Sequence, residues 1–288
     1  MLLMNAKRVD RIINSIGELP ILPTIYARLT HILNVSDASI STISNIISED
    51  QSVAAMVLRM VNSAAYGFYN KIGELQHAIA ILGLNEIKNL VLATSMYNVV
   101  KGFRPSDRFD MQEFWKHSIG CAVSARVLAE TAYLKNPEAV FTGGLLHDIG
   151  KLIHASYLRE EFDNVVADVE KTGSQMSESE RRLLGFDHAQ TGSALAEKWL
   201  LPREIVNMIA YHHLTDMPPD TLTKEIAAVH IGNTLCTALR MGSGGEKRVP
   251  MVNHEAWEIL NLKVSDLEYV MQRSAKLFEE RVSIMEFT

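Results

Sequence analysis

An all-α fold is what this sequence predicts, and three observations carry the prediction. Apolar residues recur at three- and four-residue spacing almost throughout, as in Ile40, Ile43, Ile46 and Ile47, or Val53, Met56, Val57, Met60 and Val61. The β-branched residues are scattered through these helical periods instead of gathering in short alternating runs. No alternating run is bounded by an Asn-Gly or Asp-Gly turn.

Helix boundaries follow from punctuation. Pro20 and Pro23 bracket a first helix start, Asp37 to Ser41 supply capping residues, and Gly67 to Gly73 interrupts the period with an aromatic-rich loop. Before that loop, Met56, Leu58 and Met60 form a core stripe, and Asn62 and Ser63 cap or bridge helices. Further breaks fall at Phe103 to Arg108, Lys135-Asn136-Pro137, Lys171 to Ser177, Pro202, and Met217 to Asp220. Residues 139–158 read as one helix with a buried stripe of Phe141, Leu145, Ile149 and Leu152, and Gly143 and Gly144 let another helix approach closely. A Gly-rich, charged loop from Gly242 to Arg248 leads into one or two terminal helices containing Trp257, Leu260, Leu267, Val270 and Met271.

The charged stretch from Gly102 to Asp110 separates two lobes. Residues 1–103 are expected to form an N-terminal helical lobe, residues 104–241 a helical bundle lobe that bears the polar constellation, and residues 242–288 a C-terminal extension. A chain of 288 residues, 47% of them hydrophobic, has enough apolar surface for a substantial core. The net charge of -6 and the absence of a dense basic run argue against a nucleic-acid duplex as partner. Cys121 and Cys236 lie in unrelated segments, so no disulfide framework or thiolate zinc site is indicated. The first twenty residues place Lys7, Arg8 and Asp10 where a secretory apolar core would stand, and no apolar run reaches membrane-spanning length, so a cytoplasmic protein without membrane contact is expected.

Chemistry concentrates in the second lobe. Glu113 and His117 are four residues apart, as are His147 and Lys151, so each pair shares a helix face. Asp148 follows His147 by about 100° of helix rotation and can aim at the same centre. His188 follows a capping Asp187, His212 and His213 close a helix, and His230 lies three residues before Asn233 in an apolar helix. A lone histidine on an apolar helix, such as His154, is ordinarily a hydrogen-bonded core residue. His31, His77 and His254 belong to no pattern. A buried His-Asp pair followed by Gly-Lys, together with a His-His pair at a helix end, instead fits a two-metal centre in which the carboxylate bridges two ions. Lys151 would then position an anionic substrate oxygen.

The order H…HD…HxxxG…HH, with HDIGK at residues 147–151, resembles the HD superfamily of metal-dependent phosphohydrolases, and in particular its HD-GYP branch. The segments LPILPTIYARLTHIL, ISNIISEDQSVAAMVLRMVNSAAYG and LQHAIAILGLNEIKNLVLATSM narrow the resemblance to the HDOD family, the HD-related output domain of bacterial signalling systems. The resemblance implies an all-helical regulatory module whose partners are signalling proteins or a small phosphorylated ligand. It places His117, His147, Asp148, His188, His212 and His213 at metal positions, adds Glu113 as a further ligand, and matches Lys151 to the lysine of HDxGK. His230 and Asn233 stand at the spacing of a DxxDAL stretch, so the last carboxylate ligand would be His230. Exchange of a carboxylate for an imidazole favours iron, manganese or zinc over magnesium, with two ions expected. LTDMPPD replaces the ERxDGxGYP run after His213. Binding without turnover is therefore the expected mode; the alternative is an active phosphohydrolase on nucleotides or cyclic dinucleotides, with Asp148 and Lys151 as catalytic groups.

Overall fold

The computed structural model describes residues 9, 13, 24–35, 39–62, 68–69, 71–101, 105–215, 217–218 and 220–285. Every regular element among them is a helix, and none of these helices is long and apolar enough to cross a membrane. The expected start at Pro20 and Pro23, and the roles given to Asp37 and Ser63, fall outside the described residues. The chain divides into two compact units. One comprises Met1–Leu19 and Phe103–Phe278, the other Pro20–Gly102 and Glu279–Thr288.

The smaller unit is built from α1 (Thr24–Val35), α2 (Ile40–Ser48), α3 (Gln51–Val61), α4 (Leu75–Leu82) and α5 (Leu84–Lys101). Its core follows the sequence period: Ile43, Ile46 and Ile47 of α2 and Val53, Met56, Val57 and Val61 of α3 are buried, whereas Ile40 at the exposed start of α2 is not. Ser39 caps α2 by accepting from the Thr42 amide. Asn62 bridges two segments, since its amide group donates to the carbonyls of Leu58 and Ile72 while its Oδ1 accepts from the Ile72 amide.

The larger unit is arranged around α6 (Met111–Thr131), which is buried from Phe114 to Ala129 apart from Lys116 and Arg126. Asp110 caps it by accepting from the Gln112 and Glu113 amides. Helices α7 (Pro137–Leu146) and α13 (Lys224–Ala238) pack along α6, with α12 (Arg203–Tyr211) behind α7. A second group, α8 (Ile149–Tyr157), α9 (Arg159–Thr172), α10 (Met176–Leu183) and α11 (His188–Lys198), joins it through the α11–α12 contact. Helix α14 (His254–Leu260) packs on α13, and α15 (Val264–Met285) ends the described chain.

Two local features position the site. The segment 139–158 is two helices, not one: the chain turns at His147 and Asp148, the latter at φ -99° and ψ 8°. In an unbroken helix consecutive side chains diverge by about 100°. The turn brings the ring and the carboxylate to the same side while Phe141, Leu145, Ile149 and Leu152 all remain buried. The second feature is the close crossing of α8 and α11. A Cβ on Gly150 would lie 2.0 Å from the His188 carbonyl oxygen, so only glycine permits this approach.

Candidate metal centre

Six side chains drawn from four places in the fold converge on one buried point. His117 comes from the middle of α6, His147 and Asp148 from the α7–α8 turn, His188 from the first position of α11, and His212 and His213 from the end of α12. Asp148 Oδ2 lies 3.5 Å from His117 Nε2 and 3.3 Å from His147 Nε2. The other oxygen, Oδ1, lies 3.1 Å from His188 Nε2 and 3.6 Å from His212 Nε2. His213 Nε2 is 2.8 Å from His188 Nε2. The donors thus form two groups that share Asp148: His117 and His147 with one, His188, His212 and His213 with the other, with the ligand atoms of each group within 4.8 Å of one another.

Tautomers are set by the opposite ring nitrogens. His147 Nδ1 donates to the Gly144 carbonyl at 2.7 Å, and His212 Nδ1 donates to the Ile209 carbonyl at 2.8 Å. Each leaves the Nε2 lone pair facing the centre. His117 Nδ1 pairs with Cys236 Sγ at 3.4 Å. Within the chain, the buried Nε2 atoms of His117, His147 and His212 lack a hydrogen-bond partner. Buried polar atoms are ordinarily paired, so several orphaned acceptors aimed at one point fit a metal.

The electrostatics hold His147, His212, His213 and Asp148 in ligand-ready forms and leave His188 protonated until a metal displaces its Nε2 proton. Burial lowers the pKa of His147, His212 and His213, and neighbouring imidazoles lower the last two further, which keeps these rings neutral. Burial opposes ionisation of Asp148, yet the Lys151 ammonium 2.8 Å away outweighs it and holds the carboxyl well below its usual range. Burial likewise opposes the charge on His188, but the Glu180 carboxylate at its Nδ1 lifts it to about 9.

Sequence reasoning missed several neighbours. Glu180, fully buried on α10, accepts from both His188 and His154, yet in SESERR it is indistinguishable from a solvated helix face. A strap from Gly242 to Glu246 lies over the centre. A Cβ on Gly244 would come within 2.9 Å of His117 Nε2 and 3.0 Å of Asp148 Oδ2, so a side chain at this position has no room. The Gly244 carbonyl accepts from Lys151 Nζ at 2.8 Å, the Ser243 amide donates to the Glu113 carbonyl at 3.0 Å, and Glu246, buried beside Lys151, accepts from the Met176 amide. The glycines of GSGGE were the available signal, although they mark a loop and not its destination. Beside His212 and His213 opens a cavity of about 270 Å³, also lined by Gln175, His230, Asn233 and Asn253.

Two residues of the expected ligand set lie elsewhere. Both ring nitrogens of His230 are engaged, Nδ1 donating to the His212 carbonyl at 2.9 Å and Nε2 accepting from the Asn253 amide at 3.2 Å. This histidine braces the backbone behind a donor. Glu113 is part-exposed and pairs with Lys116 at 3.2 Å, one helical turn before His117. Lys151 stays with the centre: burial works against its charge, but Asp148 and Glu246 raise its pKa and keep it an ammonium.

The fold has known counterparts. An HDOD domain protein of Geobacter sulfurreducens aligns with a TM-score of 0.86 at 26% identity, covering 100% of this chain and 99% of that one. Two further solved structures share the fold. A candidate phosphohydrolase of Shewanella amazonensis SB2B aligns at TM-score 0.72 and 24% identity, over 95% of this chain and 97% of that one. A candidate signal transduction protein of Marinobacter aquaeolei VT8 aligns at 0.75 and 23%, over 99% of this chain and 64% of that one. An uncharacterised protein of Treponema pallidum (strain Nichols) is 24% identical over 231 residues, 79% of this chain and 44% of that protein, so the chain spans less than half of that relative's length. The HDOD domain matches residues 19–215, well over half of the chain, and the chain belongs to the HDOD family.

Proposed function

We propose that this chain is a regulatory HDOD module that holds divalent transition metal in the pocket between α6, α8, α11 and α12 and acts through ligand or protein contacts. His117, His147 and Asp148 would hold one ion, and Asp148, His188, His212 and His213 a second, with iron, manganese or zinc suited to this imidazole-rich set. When bound, such ions supply Lewis acidity that activates water and offsets charge on phosphoryl oxygens. The chain's own groups orient the donors and close the pocket.

One observation carries the preference for binding over turnover. The Gly244 backbone lies against His117 and Asp148, and its carbonyl takes the Lys151 ammonium, the group that would otherwise meet a phosphoester oxygen. A second reading, an active phosphohydrolase on nucleotides or cyclic dinucleotides, is favoured by the cavity reaching His212 and His213, which gives a small ligand a route to one donor group. Metal analysis of protein purified without added ions, paired with assays on generic and cyclic-dinucleotide phosphoesters, separates the two. The regulatory reading expects bound metal and no turnover. Turnover that disappears in His147→Ala and Asp148→Ala would overturn it.

A further inference from the structure

His147 and His212 are each oriented by a carbonyl three residues earlier in their own helix. His188 opens α11 and has no such helical carbonyl behind it. Its orientation comes from another helix. Glu180 Oε2 accepts from His188 Nδ1 at 2.5 Å and from the His188 backbone amide at 2.9 Å. Glu180 Oε1 accepts from His154 Nδ1 at 2.9 Å, and the other His154 nitrogen pairs with Thr191 Oγ1 at 2.8 Å. Glu180, His188, His154 and Thr191 are all at 0% exposure.

Helix capping does not account for this carboxylate. Asp187 already caps α11, accepting from the Gln190 amide while Gln190 accepts from the Asp187 amide. A buried carboxylate carries a desolvation cost, and its three donors here converge from two histidines. A carboxylate on the far nitrogen of a ligating imidazole fixes the ring and strengthens it as a donor.

We infer that Glu180 is the positioning residue for the ion held by Asp148, His188, His212 and His213, with His154 holding its other oxygen. The inference rests on the metal reading above and assigns Glu180 to one donor group only. His117 and His147 are held by Cys236 and Gly144 and owe nothing to it.

Zinc titration of the metal-free full chain tests this, with melting recorded in parallel. Wild type is expected to take two ions. Glu180→Gln keeps the shape but loses the charge and one acceptor, and should weaken one ion about 10–100-fold while leaving the other in place. Thr191→Val, which cuts the cluster without touching a ligand, should retain both ions at near wild-type affinity. Loss of both ions, loss of neither, or equal loss in Thr191→Val would overturn the assignment. A wild-type chain that takes up no zinc would remove the metal reading itself, and this inference with it. Should Glu180→Gln fail to fold, nitrogen NMR of histidine-labelled wild type decides the question. Zinc should move the His188 Nε2 resonance while Nδ1 keeps its proton, and zinc on Nδ1 would overturn the proposal.

Discussion

Asp148 does two jobs, since its two oxygens face different donor groups and Oδ2 also meets Lys151. Replacement by Asn leaves the Lys151 ammonium buried beside a neutral amide. Asp148→Asn should therefore abolish zinc uptake and cost about 3–5 kcal/mol in the metal-free chain, read by urea unfolding. Glu246 supplies a pH dependence. Burial raises its pKa above the ordinary 4.5, and Lys151 offsets only part of that effect. The folded chain then holds this proton more tightly than the unfolded chain, so its contribution is full below pH 4.5 and is lost as pH rises through the shifted value. Asp148 acts oppositely, losing its contribution only as pH falls below 3.8. Glu246→Gln should flatten stability against pH above 4.5 relative to wild type, measured as the difference between the two unfolding profiles. The HDIGK signature exposed Asp148 and Lys151 in the sequence. Glu246 and Glu180 were hidden because a carboxylate among polar neighbours looks alike whether it faces solvent or a buried imidazole.

Among the helices, the period of three and four located the cores of α2, α3, α7 and α8, because burial of a helix face requires that spacing. It did not reveal the turn at His147 and Asp148. A stripe broken by one turn can remain apolar on both sides, and Phe141 through Leu152 are buried regardless. The family resemblance set His230 among the donors; in the fold a backbone amide from the C-terminal extension meets its outer nitrogen. The α8–α11 crossing depends on Gly150. Gly150→Ala drives a methyl into the His188 carbonyl and should cost about 1–3 kcal/mol by thermal or urea unfolding, with zinc affinity falling as α11 shifts. Gly244→Ala should act on the strap instead. Its methyl meets His117 and Asp148, so residues 242–246 should become more readily cut in limited proteolysis while the helices stay protected.

For the whole molecule, the proposed metal binding would be linked to stability. A ligand that binds only the folded state stabilises it by about 2.7 kcal/mol when present at a hundred times its dissociation constant. Zinc should raise the melting temperature and a chelator reverse it, and hydrogen exchange should slow in the unit containing Phe103–Phe278. Asp148→Asn should erase both effects. Family membership was legible in the sequence because HDIGK and the segments before Gly102 carry the HDOD pattern. The strap was not, since a glycine-rich loop has no periodicity to announce where it lands.

The joint between α7 and α8 carries a mechanical consequence. Its two residues are both a bend in the chain and the floor of a charged pocket, so an ion that fixes His147 and Asp148 also fixes the angle at which two helices leave them. One helix runs back to the Asn136–Pro137 turn and the other out to the exposed Tyr157. On the proposed metal reading, occupancy at the centre would be converted into stiffness at the surface, in a form that a neighbouring protein would feel without ever touching the metal.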